Sequence, residues 1–297
     1  MSHDEIPIAF SCNGATLYGI LSKPAQPLSR AILIVVGGPQ YRAGSHRQFV
    51  LLARAFAAQG YPVLRFDYRG MGDSEGEPRN FEDAGDDIRA ALDALFDAVP
   101  AVREAVVWGL CDGATAAAFY APGDARVCGA VLVNPWTRTE AGEAKAQLKH
   151  YYRARLLDAG VWKRIAAGDF DFGSAARSLW SAVGRAYGNP AAVNDADDPQ
   201  PLPDRLYQAL ARFDGNVLVI LSENDLTAQE FGDLVQQSGK WEDLMKSGHV
   251  HCHRLAGANH TFSRRTWRDE AAAATLRWLR GIPAGTAAAP ELARTQA

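Results

Sequence analysis

The chain has 297 residues, 47% apolar and 22% charged, with a formal net charge of −3. That length suits one large domain, or a domain plus an insertion, with room for a sizeable core. The near-neutral balance gives no footing for nucleic acid or an anionic membrane surface. No apolar run reaches the roughly 18 residues that span a bilayer. The N-terminal MSHDEIPIAF has neither a basic n-region nor an apolar h-region, so no signal peptide is expected and the cytosol is the expected location. The four cysteines, Cys12, Cys111, Cys128 and Cys252, are far apart and have no zinc-type spacing, so neither a disulfide framework nor a metal site is expected.

In chain order, IPIAFSCNGATLYGILSKP predicts two extended runs joined at Asn13-Gly14, a dipeptide that tolerates positive φ at both turn positions. RAILIVVGG is a continuous apolar run, as in a strand buried on both faces. SHRQFVLLARAFAAQG has helical spacing, with Phe49, Leu52, Ala53 and Phe56 on one face and Gly60 as its stop. YPVLRFDYRG reads as a strand, and FEDAGDDIRAALDALFDAV as a helix with acidic residues at its N-terminus. REAVVWGL, ATAAAFYA and VCGAVLVNP continue as strand, helix and strand. This alternation implies a mostly parallel sheet with helices on both faces.

The alternation then stops. Residues 136–205, rich in Ala, Leu, Trp and Arg with a proline-rich connector, read as a helical insertion. The sheet pattern resumes at GNVLVILSEND and VHCHRLAGANH and ends in the helix RDEAAAATLRWLRG. The expected organisation is a core of 1–135 and 206–282, an inserted cap at 136–205, and a disordered tail at 283–297.

Residues 107–115 read VWGLCDGAT. A nucleophile on a sharp strand-to-helix turn needs small residues two positions before and after it, and Gly109 and Gly113 flank Cys111 in that way. The plainer alternative, a buried structural cysteine, leaves both glycines unexplained. At a helix N-terminus the thiolate is favoured. The backbone N–H of Asp112 is the expected oxyanion donor, while its carboxylate has no evident task. The acid and base should follow in the order nucleophile, acid, histidine. Asp225 lies just past an apolar strand, and His260 lies in the loop LAGANHTFS before the last helix. His260 would take the thiol proton and Asp225 would orient it. A single loop histidine is usually structural; here chain order and strand ends agree. The second oxyanion donor should come from Gly37-Gly38-Pro39-Gln40. Pro39 has no N–H, which leaves Gly38 or Gln40, with Gln40 preferred. Tyr41, Arg42 and Trp136 are candidate substrate contacts, although each is as well explained as ordinary loop or packing structure. His249, His251 and His253 alternate on a strand without a completing cluster, and read as a strand face rather than a metal site.

Together FDYRGMGDSEG, VVGGPQ, GLCDGA, SENDLTA and GANHTF resemble the α/β-hydrolases over most of residues 6–282. GGPQYRAGSHRQF, GLCDGA, NPW and NDLTAQEF are similar to a narrower group, the exosortase A system-associated hydrolases of type 1, bacterial proteins encoded with exopolysaccharide systems. The resemblance implies an α/β-hydrolase fold and a hydrolase or acyl-transfer role, without a substrate. The broad family usually has serine at the elbow; Cys111 departs from this, as do dienelactone hydrolases and polyhydroxyalkanoate synthases. The family's usual histidine-glycine start to the oxyanion loop is replaced by Gly37-Gly38. Three functions remain open: ester or thioester hydrolysis through a Cys111 acyl-enzyme, acyl transfer through the same thioester, and a ligand-binding homologue without chemistry. The expected partner is a small acyl or ester substrate. No cofactor, metal, nucleic acid or integral membrane segment is called for, and the sequence leaves the oligomeric state open.

Overall fold

The computed structural model of the chain describes residues 2–38, 40–137 and 200–283. By its contacts the chain divides into two units, Met1–Trp136 with Leu206–Ala297, and Thr137–Arg205. The expectations for a helical cap and for a disordered tail fall almost entirely outside the described residues.

The first unit is built on an eight-stranded sheet in the order β1-β2-β4-β3-β5-β6-β7-β8. β1 (His3–Cys12) and β2 (Ala15–Pro24) form the hairpin foreseen at Asn13-Gly14, where φ is 47° and 83°. β2 runs antiparallel to β4 (Val63–Phe66). β4, β3 (Arg30–Val35), β5 (Glu104–Leu110), β6 (Val127–Val133), β7 (Asn216–Ser222) and β8 (Val250–Leu255) pair in parallel. The central strands are apolar along their whole length because each face of the sheet carries its own core. Along β3, Ala31, Leu33 and Val35 enter one core, and Ile32 and Ile34 the other.

Helix α1 (Gln48–Ala57) buries Phe49, Leu52, Ala53 and Phe56 against the second of these cores, as its spacing predicted. The last helix, α7 (Arg265–Gly281), joins it there through Ala271, Ala274 and Trp278. Helices α2 (Gly85–Ala98) and α3 (Asp112–Tyr120) cover the opposite face. Three further helices have no counterpart in the sequence reading: α4 (Leu202–Ala211), α5 (Leu226–Gln236) and α6 (Gly239–Lys246). The β3, β5, β7 and β8 loops that carry chemistry all leave the carboxyl edge of the parallel strands, where open α/β sheets gather their ligands.

Candidate active site

The turn after β5 has the geometry its glycines imply. Cys111 sits at φ 61° and ψ −125°, between β5 and α3. A Cβ on Gly109 would collide with the Gly113 carbonyl, and one on Gly113 with the Val35 carbonyl and Gly37 N. The turn is pinned from both sides, because Cys111 N–H donates to Val133 O at 2.9 Å and Cys111 O accepts from Trp136 N–H at 3.2 Å. Strain of this kind persists only where the surroundings over-determine the backbone. Here it lifts the sulfur to the end of α3, half-exposed at the carboxyl edge.

Asp225 is the residue before α5. Its Oδ1 accepts from Thr227 N–H at 3.2 Å, capping the helix. Its Oδ2 lies 2.9 Å from His260 Nδ1. The two loops are tied together by Glu223, which accepts from Gly257 N–H at 2.7 Å, and by Asn224 N–H, which donates to Ala258 O at 2.8 Å. Below them, buried Asn134 at the end of β6 donates to Ser222 Oγ at 3.1 Å and accepts from Ser222 N–H at 2.8 Å, locking the β6 and β7 ends. The Asp225 carboxylate first, and the Cys111 sulfur second, push the His260 pKa from 6.5 up to about 10 against the opposing effect of burial. Asp225 and His260 are thus hydrogen-bonded to each other, and the Cys111 sulfur acts on the same ring.

The loop after β3 settles differently from the sequence preference. Gln40 N–H donates to Gly38 O at 2.7 Å, a bond it would have to give up to hold an oxyanion. Gly38 N–H instead points to Asp112, at 2.7 Å from Oδ2. Asp112 Oδ1 also accepts from Gly113 N–H at 3.0 Å. Burial raises the Asp112 pKa, opposed by the backbone N–H groups of Gly38, Gly113 and Asp112 itself and by the His260 charge. The carboxylate without an evident task is thus hydrogen-bonded to Gly38 N–H, one of the candidate oxyanion donors.

Tyr41 and Arg42 are both engaged within the fold, with Tyr41 still exposed. Arg42 pairs with buried Asp67 and with Asp73, stacks over the Tyr41 ring at 4.3 Å, and Tyr41 OH donates to Asp73 at 2.7 Å. Both side chains clamp the loop after β3 to the loop after β4, a role invisible in the sequence because the acids lie more than 20 positions away. Trp136 is half-buried beside the elbow, its carbonyl accepting from Thr115 Oγ1 at 2.8 Å. His253 lies 3.3 Å from Glu270 and His251 is exposed at the sheet edge. Among the described residues no cluster of His, Cys, Asp and Glu is arranged to hold a metal ion.

A sheet carrying such an elbow, followed by an acid and a histidine at the ends of later strands, defines an α/β-hydrolase architecture. The chain belongs to the Alpha/beta hydrolase family, whose model matches residues 32–285. It is similar to the polyketide transferase grgF of a Penicillium species, at 34% identity over 49% of this chain and 51% of that protein. It is also similar to the quorum-quenching protein AidA of Acinetobacter baumannii, at 28% identity over 44% of each chain. The chain thus spans about half the length of these curated relatives. Among solved structures, an esterase of Pyrococcus furiosus superposes with a TM-score of 0.64 at 15% identity, over 94% of this chain and 92% of that one. At that identity the likeness speaks for the fold alone.

Proposed function

We propose that the chain hydrolyses an ester or thioester through a Cys111 acyl-enzyme. The observation that carries this reading is the 2.9 Å contact of Asp225 Oδ2 with His260 Nδ1, on a ring whose pKa both that carboxylate and the Cys111 sulfur raise. Cys111 Sγ, its proton passed to His260, attacks the carbonyl carbon on the way to the thioester. As the tetrahedral intermediate collapses, the bond to the leaving group breaks, and His260 Nε2 gives that group its proton. Water then attacks the thioester, returns a proton to His260, and releases the acid and the Cys111 sulfur. Asp225 holds Nδ1 throughout. Gly38 and Asp112 N–H groups take the oxyanion, each typically worth about 3 kcal/mol.

Acyl transfer through the same thioester is the second reading, favoured by the transferase among its relatives. A non-catalytic role is disfavoured by that arrangement of Asp225, His260 and Cys111. The narrower resemblance ties this chemistry to exopolysaccharide and exosortase systems, without naming the acyl group. No described helix is long and apolar enough to cross a membrane. Residues 136–205 would be the insertion that selects the acyl group. The test is a turnover panel of esters, thioesters, lactones and acylated polysaccharide, with alcohol and amine acceptors present. Turnover that vanishes in Cys111→Ala supports the reading. Product partition between water and acceptor separates hydrolase from transferase. No turnover anywhere in the panel would remove both.

A further inference from the structure

The Asp112 carboxylate stands where the reaction needs an oxyanion. It accepts from Gly38 N–H at 2.7 Å and Gly113 N–H at 3.0 Å, at the start of the helix that follows Cys111. It packs so closely on the loop that a Cβ on Gly37 would overlap its Oδ1. A substrate carbonyl cannot share those donors with a carboxylate, and a developing alkoxide would be repelled by it. The elbow therefore rests in a self-occupied state.

The structure also offers the carboxylate somewhere to go. Asp112 and Gly38 open onto a cavity of about 240 Å³ lined by Tyr68, Met71, Arg79, Asn80 and Phe81. The Tyr68 side chain is 3% exposed, and its hydroxyl is buried with no hydrogen-bond partner. A buried, unpaired hydroxyl costs about 1–3 kcal/mol, so its retention beside a carboxylate asks for a reason. Arg79 Nε in the same wall is likewise buried and unpartnered. Burial first, and then the negative charges of Asp112 and Asp87, push the Tyr68 pKa up.

We propose that Asp112 is a specificity-determining residue. Its carboxylate is the resting occupant of the oxyanion hole, and an acyl carbonyl enters as that carboxylate turns to the Tyr68 hydroxyl in the adjoining cavity. This rests on Cys111 being the nucleophile. The exchange makes binding conditional. A short acyl group brings little binding energy from outside the reacting centre to displace the carboxylate, whereas a substrate with remote contacts brings more. The site thus favours elaborate acyl donors over small activated esters.

The test compares two reactions of Cys111 in wild type, Asp112→Ala, Asp112→Asn, Tyr68→Phe, and the pairing of Tyr68→Phe with Asp112→Ala. Acylation by S-phenyl thiobutyrate needs the oxyanion hole, whereas alkylation by iodoacetamide does not. Reading the ratio of the two rates removes any general change in sulfur reactivity. Circular dichroism confirms that each variant is folded, and Asp112→Asn serves if Asp112→Ala is not. The expected result is an acylation-to-alkylation ratio about tenfold or more higher in Asp112→Ala, with a smaller rise in Asp112→Asn, whose amide oxygen still accepts from Gly38. Tyr68→Phe lowers the ratio with Asp112 present and leaves it unchanged in the Asp112→Ala background. A ratio unchanged or lowered in Asp112→Ala, while wild type acylates, overturns this proposal and leaves the nucleophile reading standing. An effect of Tyr68→Phe that is equal in both backgrounds overturns the receiving role of Tyr68. Alkylation without acylation in every variant overturns the nucleophile reading, and this one with it.

Discussion

Replacing Asp225 by Asn keeps the shape of the side chain and removes its charge. The carboxylate is the largest cause of the rise in His260 pKa from 6.5 to about 10. That difference, 10 − 6.5, corresponds to about 5 kcal/mol at about 1.4 kcal/mol per pH unit. With 31% of the His260 side chain open to water, screening reduces the stabilisation to about 3 kcal/mol. Because the folded state holds this proton more tightly than the unfolded chain, the stabilisation is complete below about pH 6.5. It is lost as pH rises toward 10. Urea unfolding at pH 6 and pH 10, with NMR titration of labelled histidine, measures both quantities. Wild type should lose stability between the two pH values relative to Asp225→Asn, and His260 in the variant should titrate back toward 6.5. The same substitution should lower kcat by about 10⁴-fold, because Thr227 N–H keeps the amide oxygen and the amide N–H then meets Nδ1 and fixes the wrong tautomer. A wild-type His260 that titrates near 6.5, or pH profiles that coincide in the two proteins, would refute the reasoning.

The remaining predictions concern what supports these residues. Arg42→Ala leaves buried Asp67 without its cation and should lower unfolding free energy by about 3 kcal/mol in a denaturant titration. A raised KM with stability intact would restore Arg42 as a substrate contact. Gly113→Ala drives a methyl group into the Val35 carbonyl and should cost about 3 kcal/mol in the same assay; a variant as stable as wild type would show that the elbow can relax. Asn134→Ala strands the Ser222 N–H and hydroxyl in the interior, with an expected loss of about 2 kcal/mol, and an unchanged unfolding midpoint would contradict it.

Much of the architecture is visible in the residues because parallel strands buried on both faces must be apolar throughout. The runs ILIVV, AVVWGL and VLVILS announce themselves in that way. The elbow is legible through its glycines, which close approach of backbone demands. Helices α5 and α6 are not legible. α5 buries Thr227, Ala228 and Phe231, and α6 buries Trp241 and Leu244, too few apolar positions for a helical period to rise above the background. The oxyanion loop could be narrowed only by excluding Pro39; that Gln40 N–H closes a turn on Gly38 is a matter of backbone path. The roles of Asp112, Tyr41 and Arg42 were left open for a related reason. Each finds its partner across the sheet edge, and residue type alone cannot tell a carboxylate or guanidinium already paired within the fold from one awaiting a ligand.

The central claim is that Cys111 carries the acyl group. Its most direct test is intact-protein mass spectrometry after brief exposure to a panel of acyl thioesters and esters, with Cys111→Ala alongside. The account predicts a mass increase of one acyl group, lost on incubation and located by peptide mapping at Cys111, and no adduct on the variant. An unmodified wild-type protein across the panel, or an adduct that persists in Cys111→Ala, would contradict it.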